Sequence, residues 1–161
     1  MEVEVAKQMA RRLMSAYGLT GRGWTLHIDR AVRRFGSCHG KLKRITLSGP
    51  LITLNDEDEV QDTILHEITH ALVGAKHGHD RVWKATAEAV GCRPQRCYSA
   101  QTVRVPSARY RFECPACGHT GTRMRIRVSS CARCDPKQFN QRYLLRWTDL
   151  HVAAAGSSAA D

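Results

Sequence analysis

The 161-residue sequence has no run of apolar residues long enough to cross a membrane, so we expect no transmembrane helix. Its first five residues lack both the basic start and the apolar segment of a secretory signal peptide. From these two absences we expect an intracellular, cytoplasmic protein without a membrane partner, which would be nucleoid-associated if it binds DNA. The length is sufficient for one modest domain and an appendage.

The sequence also lacks the features of a secreted disulfide scaffold, because its seven cysteines are an odd number and no export signal is present. Cys114 and Cys117 form one CxxC pair, and Cys131 and Cys134 form a second. Two such pairs can close a tetrahedral site of four thiolates, which leaves no open position for water. We therefore predict a structural zinc in a zinc ribbon. A thioredoxin-like redox site is disfavoured, since it needs a single CxxC at a helix start in an α/β domain.

Three other residues of the metal-binding types are not expected to be ligands of the ribbon. His119 should lie at the surface, because four cysteines already fill the site. Cys92 and Cys97 lack a paired spacing and should be structural or free thiols.

Acidic residues are scarce in the C-terminal part of the chain. Residues 1–92 carry 13 Lys and Arg and 11 Asp and Glu, whereas residues 93–161 carry 12 and 4. Near the ribbon cysteines, arginines alternate with apolar residues, which in a strand places each set on one face. These arginines are Arg109, Arg111, Arg123, Arg125 and Arg127. A charge run is often only a solvated face, but a surface of one sign attracts phosphate backbones. No base-reading motif accompanies it, so we predict non-specific, salt-sensitive binding of DNA, single-stranded or damaged.

The strongest catalytic signal is the segment His66-Glu67-Ile68-Thr69-His70. On a helix, the two histidines lie one turn apart on one face, so both imidazoles can reach the same metal ion. Glu67 points about 100° round the helix from His66, beside the metal, where it can take a proton from water. This is the HExxH pattern of zinc hydrolases, and it predicts Glu67 as the catalytic base.

The surroundings of this segment predict two helices and leave the third metal ligand open. Residues 55–59 supply N-cap candidates and acidic residues, which favour a helix start. A second helix should follow Asp80 and end at Gly91. A catalytic zinc needs a third protein ligand and an open fourth position. The downstream candidates are His77, His79 and Glu88.

The N-terminal part shows patterns of a helix and of strands. Residues 3–17 have helical apolar spacing, and residues 24–28 alternate as in a half-buried strand. Residues 35–48 predict a hairpin that turns at Gly40. We interpret residues 45–48 as an edge that receives a substrate main chain, although an ordinary sheet strand fits equally well. Cys38 and His39 are adjacent in a strand, so they should point to opposite faces and not share a metal.

Together these residues resemble the SprT-like zinc metalloproteases, which include the Spartan DNA-protein crosslink proteases. The resemblance covers about residues 5–135 and includes a C-terminal zinc ribbon of the SprT type. The matching segments are residues 24–28, 36–38, 45–48, 66–72, 78–80 and 83–84. In that family the third ligand is the histidine of a Gly-His pair after the helix, which implies His79 here. The chain departs from the family at Asp80, where many relatives have glycine.

We therefore expect an α+β fold with three parts. Residues 1–103 would be a small zincin-like metalloprotease domain of helices packed on a small antiparallel or mixed sheet. Residues 104–147 would be a basic zinc ribbon with four cysteine ligands, and residues 148–161 a disordered tail. Two zinc ions are expected, one catalytic and one structural.

The resemblance implies proteolysis of DNA-associated or DNA-crosslinked proteins, with the ribbon holding enzyme and substrate on the same nucleic acid. Two alternatives stay open. The protein could be a non-catalytic nucleic-acid-binding module, for example in transcription, with a structural or vestigial metal site. It could also be a peptidase that acts independently of DNA, in which the ribbon only stabilises folding.

Overall fold

The computed structural model describes residues 1–95 and 103–151 and divides the chain into two units, Met1–Pro106 and Ser107–Asp161. Each unit contains a three-stranded sheet, and the first also carries α-helices. The fold is therefore α+β with two small sheets. Within the described ranges, every helix is too short or too polar to span a membrane.

The sheet of the first unit is mixed. It consists of β1 (Thr25–Asp29), β2 (Gly36–His39) and β3 (Arg44–Ser48) in the order β1-β3-β2. Strand β1 is parallel to β3, and β2 is antiparallel to it, which confirms the predicted hairpin. Because β3 is the central strand, both of its sides are hydrogen bonded. The prediction that residues 45–48 form a substrate-binding edge is therefore wrong, and the edge strand of this hairpin is β2.

The described part of the first unit also contains four α-helices. They are α1 (Val3–Ala16), α2 (Gly49–Leu54), α3 (Glu57–Val73) and α4 (Arg81–Ala89). Helices α1, α2 and α3 contact the sheet, and α4 packs on α3. Helices α1, α3 and α4 form where the sequence predicts helices, and α4 lies between the predicted N-cap Asp80 and the predicted stop Gly91. Helix α2 was not predicted, although Ser48 and Pro50 are both signals of a helix start. The Ser48 hydroxyl accepts a hydrogen bond from the Leu51 N–H at 3.1 Å.

The core of the first unit fixes the orientation of α3. Ile64 and Ile68 of α3 are fully buried, together with Ile45 and Leu47 of the central strand β3. Burial of each such side chain stabilises the fold by about 1.5–3 kcal/mol. Since these residues hold one side of α3 against the sheet, the rotation of the helix about its axis is determined by the core.

The end of the first unit is fastened by Asn55, which follows α2. Its side-chain amide donates to the carbonyl of Arg104 at 2.8 Å and accepts from the Arg104 N–H at 2.7 Å. Val103 is 4% exposed and belongs to the same core. The first unit thus continues to Pro106, whereas the sequence placed its end after residue 103.

The second unit contains an antiparallel sheet beside the cysteine pairs. Its strands are β4 (Tyr110–Glu113), β5 (Thr120–Arg123) and β6 (Arg146–Asp149), in the order β5-β4-β6. The predicted disordered tail, residues 148–161, therefore begins with two strand residues. Residues 152–161 and Cys97 lie outside the described residues.

The aromatic residues of the second unit pack on a small core. Phe112 and Leu145 are each 8% exposed and cluster with the cysteines. Trp147 contacts Phe112 edge to face, with ring centroids 5.6 Å apart, and Tyr143 is partly buried on the same cluster. Leu144 is 39% exposed. Leu145, Tyr143 and Trp147 therefore pack on the core of the second unit.

The arginines of the second unit do not form one face. Strand β5 ends at Arg123, so Arg125 and Arg127 follow the strand and do not share its two-residue period. Arg123 lies opposite Tyr110 and therefore on the Tyr110 face of the sheet. Arg111, the next residue after Tyr110, projects from the other face. The prediction that Arg123, Arg125 and Arg127 lie on one face of a single strand is wrong, because the alternation of residue types continues beyond the end of β5.

Candidate active site

Three histidine side chains meet beside α3. His66 and His70 project from successive turns of this helix, and His79 comes from the loop before α4. The Nε2 atoms are 3.2 Å apart for His66 and His70, and 3.1 Å for each of the other two pairs. The ring centroids are farther apart, at 4.7–5.1 Å, so the rings direct their Nε2 atoms toward one another.

This group has the chemistry and spacing of a zinc site. Nitrogen ligands about 2.0–2.1 Å from a tetrahedral zinc ion lie about 3.3 Å from one another, close to the observed separations. Burial and, second, the neighbouring imidazoles lower the pKa of His66 and of His70 to about 4. Both rings are therefore neutral at pH 7, as metal ligands must be. The three imidazoles can hold a metal ion and leave a fourth position for water or substrate.

A capped turn returns the chain to α3 and positions His79. Helix α3 ends at Gly74, whose φ of +82° is readily adopted only by glycine. Helix α4 begins after Asp80, whose carboxylate accepts a hydrogen bond from a backbone N–H of the first turn. His77 instead places its Nδ1 2.8 Å from an Asp80 oxygen, and Glu88 is exposed on α4. Of the three candidates for a third ligand, the structure brings His79 to the histidine pair.

Trp83 of α4 forms the packing surface behind the three imidazoles. It is fully buried, and its ring centroid lies 4.7 Å from His66, 5.3 Å from His70 and 4.5 Å from His79. Its indole N–H has no hydrogen-bond partner in the described part of the chain. Trp83 therefore affects the three histidines through packing alone, because it restricts the positions that their rings can adopt.

Glu67 is almost completely buried between α3 and the edge strand β2. It is 6% exposed and accepts no hydrogen bond from the residues that the structure describes. Gly36 of β2 is so close that a Cβ atom there would lie 2.6 Å from Glu67 Oε1 and 2.7 Å from its Cγ. The absence of a side chain at position 36 therefore makes room for the Glu67 carboxyl group.

Burial raises the pKa of Glu67 to about 8, and the positive charge of Arg34 opposes this rise. The Arg34 guanidinium is held by Asp29, and its Nη1 donates to Ser37 Oγ at 2.7 Å. Arg34 is thus the cation that acts on the carboxyl group from beside β2. Its side chain remains 47% exposed, so solvent weakens the interaction.

The carboxyl group of Glu67 lines a cleft of about 400 Å³. Strand β2 and Gly40 line it, and so do His70, Ala75, His77 and Gly78. In the described residues, β2 pairs only with β3, so its other side has backbone groups free for an added strand. An extended polypeptide can therefore pair with β2 and pass beside Glu67 and His70.

The four cysteines of the second unit form a separate candidate metal site. Cys114 Sγ lies 3.8 Å from Cys134 Sγ, and Cys117 Sγ lies 3.7 Å from Cys131 Sγ. Sulfur ligands about 2.3 Å from a tetrahedral zinc ion are about 3.8 Å apart, so this set fits zinc as well. Four cysteine ligands would fill all positions of a tetrahedral ion, as in a structural site. His119 packs edge to face on Phe112 and is not part of the group.

Neither Cys38 nor Cys92 belongs to either of the two metal groups. Cys92 is 3% exposed and packs beside Trp83, whereas Cys38 is partly buried on β2 and lines the cleft. Arg109 pairs with Asp149 at 3.0 Å, and the Arg123 guanidinium lies 5.7 Å from the Phe112 ring centroid. Binding of DNA by the arginines stays a prediction.

Three residues that shape the site had no assigned role in the sequence interpretation: Gly36, Trp83 and Arg34. Gly36 and Trp83 both lie in segments that carry the resemblance to known metalloproteases, which was the available signal. Their roles depend on contacts between elements that are distant in the sequence, and spacing along the chain does not reveal such contacts.

Comparison with protein-family models finds a match to the first unit. The model of the SprT-like family matches residues 6–105, which is most of this unit and more than half of the chain. No curated protein matches the sequence.

Proposed function

The chain belongs to the SprT-like family, and we propose that it is a zinc metalloendopeptidase whose first unit has a zincin-like fold. The observation that carries the proposal is the convergence of His66, His70 and His79 beside the buried carboxyl group of Glu67. A site with only a structural role has no need for a carboxyl group beside an open coordination position. The cleft at Glu67 supplies the access that a polypeptide substrate requires.

In the proposed reaction, His66, His70 and His79 would hold a catalytic zinc ion. When bound, the ion supplies Lewis acidity to water and to the scissile carbonyl, and its charge lowers the pKa of the neighbouring carboxyl group. Glu67 accepts a proton from the attacking water and passes it to the leaving amine. Strand β2 holds the substrate main chain in extended form, so that the scissile bond lies beside Glu67.

The proposed substrates are proteins associated with DNA or crosslinked to it. The second unit supports this proposal through its excess of basic residues and its four-cysteine site, which would hold a structural zinc. Arginines on both faces of its sheet and in the loop after β5 would bind DNA without sequence preference, single-stranded or damaged. Binding to the same DNA raises the local concentration of substrate without a sequence-specific cleavage pocket. We place this activity in the cytoplasm, at the nucleoid.

The experiment compares the zinc-loaded protein with Glu67→Gln, with and without single-stranded DNA. Cleavage of a DNA-binding protein and self-cleavage are followed by gel electrophoresis, and zinc content is measured in both samples. We expect DNA-dependent cleavage that disappears in Glu67→Gln at equal zinc content. Cleavage that does not change with DNA would instead indicate a DNA-independent peptidase. If neither protein cuts a substrate although both bind zinc and DNA, the protein is a binding module and the proposal is wrong.

A further inference from the structure

A second cleft adjoins the candidate active site on the side of His70. It encloses about 600 Å³ and shares Gly40, His70 and Ala75 with the cleft at Glu67. Because the same three residues line both, the two clefts meet beside His70. A polypeptide that extends along β2 beyond the scissile bond reaches this second cleft.

The second cleft has a basic rim and an apolar floor. Arg22, Lys41 and Lys43 line it, all three are exposed, and no carboxylate occurs among the described residues that line it. Trp24 and Ala71 contribute to the floor and are only 8% and 5% exposed. We call this feature the cationic cleft. Its charge is opposite to that of Asp and Glu side chains, and its floor can contact their methylene groups.

Lys43 occupies an unusual backbone position in the cationic cleft. Its φ of +46° is the only positive φ of a non-glycine residue in the described ranges. Glycine would be less strained there, so the backbone gives no reason for a lysine. The Lys43 ammonium donates to the Arg22 carbonyl at 2.9 Å, which holds the charge at the rim of the cleft. Strained residues that carry a functional group are often found at binding sites.

We propose that the cationic cleft binds acidic side chains of the substrate polypeptide and selects for Asp or Glu on one side of the scissile bond. This inference rests on the proposed peptidase function. A polypeptide is favoured over nucleic acid because the cationic cleft meets the cleft at Glu67 beside His70. The segment that enters the cationic cleft is therefore part of the chain being cut.

The test measures peptide binding to the zinc-loaded Glu67→Gln variant of the whole 161-residue chain, which does not consume the peptide. Two pairs of fluorescent peptides of equal length are used, each pair with two Asp or two Asn residues on one side of a common central dipeptide. In one of the pairs, we expect the Asp peptide to bind about tenfold more tightly than the Asn peptide. This advantage should fall below about twofold when Arg22→Gln and Lys41→Gln are combined with Lys43→Gly.

Two controls separate a loss of charge from a loss of structure. Lys43→Gly alone removes a charge and relieves backbone strain, so it should weaken Asp-peptide binding without lowering the melting temperature. Lys76→Gln removes an exposed charge near Ala75 that does not line the cationic cleft, and it should leave the advantage intact.

The proposal is overturned if Asp and Asn peptides bind equally, or if the advantage survives the triple substitution. It is also overturned if the triple substitution weakens binding of a single-stranded oligonucleotide but not of the Asp peptide. Failure of the peptidase function gives a different result. In that case the Glu67→Gln protein still prefers the Asp peptide, but the parent protein with Glu67 intact cuts none of the four peptides, with or without DNA.

Discussion

Replacing Gly36 with alanine tests whether the buried position of Glu67 determines catalysis. A Cβ atom at position 36 would lie 2.6 Å from Oε1, 2.7 Å from Cγ and 3.0 Å from Cδ of Glu67. Ordinary contacts between such atoms are about 3.5 Å or longer, so either the carboxyl group or β2 must move by about 0.5–1 Å. The backbone at Gly36 does not have a positive φ, so alanine introduces no backbone strain of its own.

Displacement on this scale should affect catalysis more than stability. A misplacement of about 1 Å can lower a rate about 100-fold, whereas overpacking of a core costs about 1–3 kcal/mol. We expect Gly36→Ala to lower kcat/KM by about 10- to 100-fold, mainly through kcat, while the histidines retain zinc. The assay is steady-state cleavage of a substrate, together with zinc content and urea unfolding. Gly21→Ala is the matched control, because a Cβ there meets no atom within 4 Å.

A double-mutant cycle with Glu67→Asp tests whether the contact between the added Cβ atom and the Glu67 side chain causes the loss of kcat/KM. Aspartate is shorter by one methylene group, so its carboxyl group lies farther from the added Cβ atom. Gly36→Ala should therefore lower kcat/KM much less in the Glu67→Asp background. The reasoning is refuted if Gly36→Ala retains full activity, or if its cost is the same with Asp at position 67.

Three further substitutions test the packing and the two metal groups. Trp83→Phe removes part of the surface behind the three imidazoles, so zinc binding by this group should weaken about tenfold, as followed by competition with a chelator. The Arg93 guanidinium donates two hydrogen bonds to the buried carboxylate of Glu59, at 3.0 and 2.8 Å. Arg93→Met removes both bonds and should lower the free energy of unfolding in urea by about 1–3 kcal/mol. Combining it with Glu59→Gln should recover part of that loss. Cys131→Ser should remove one equivalent of zinc and the near-ultraviolet CD signal of Trp147, while the zinc at the histidines remains.

Local patterns in the sequence were sufficient to predict α3 and its histidine pair. The period of Ile64 and Ile68 identifies the buried side of the helix, and the spacing of His66 and His70 then follows from helix geometry alone. The third ligand could not be identified from helix geometry. His77, His79 and Glu88 are all close enough along the chain, and only the turn between Gly74 and Asp80 determines which one approaches the pair.

Features set by pairing between strands were harder to predict. The sequence marks both β2 and β3 as strands, but it does not indicate that β1 pairs with β3 and thereby makes β3 central. That pairing joins residues about 20 positions apart, and its register has no local signal in the sequence. The same pairing leaves β2 as the edge strand, next to Glu67. The strand that can receive a substrate is therefore determined by the pairing of β1 with β3.

For the arginines of the second unit, the local sequence pattern was misleading, because the alternation of arginine and apolar residues continues after strand β5 has ended. A two-residue period assigns side chains to one face only while the backbone remains extended, and β5 stops at Arg123. Arg125 and Arg127 lie past that end, and the register with β4 puts Arg111 on the other face from Arg123. Non-specific attraction to a phosphate backbone depends on the summed charge near the surface rather than on one ordered row. If these arginines bind DNA, single substitutions on either face should therefore each reduce the salt dependence by a similar small amount.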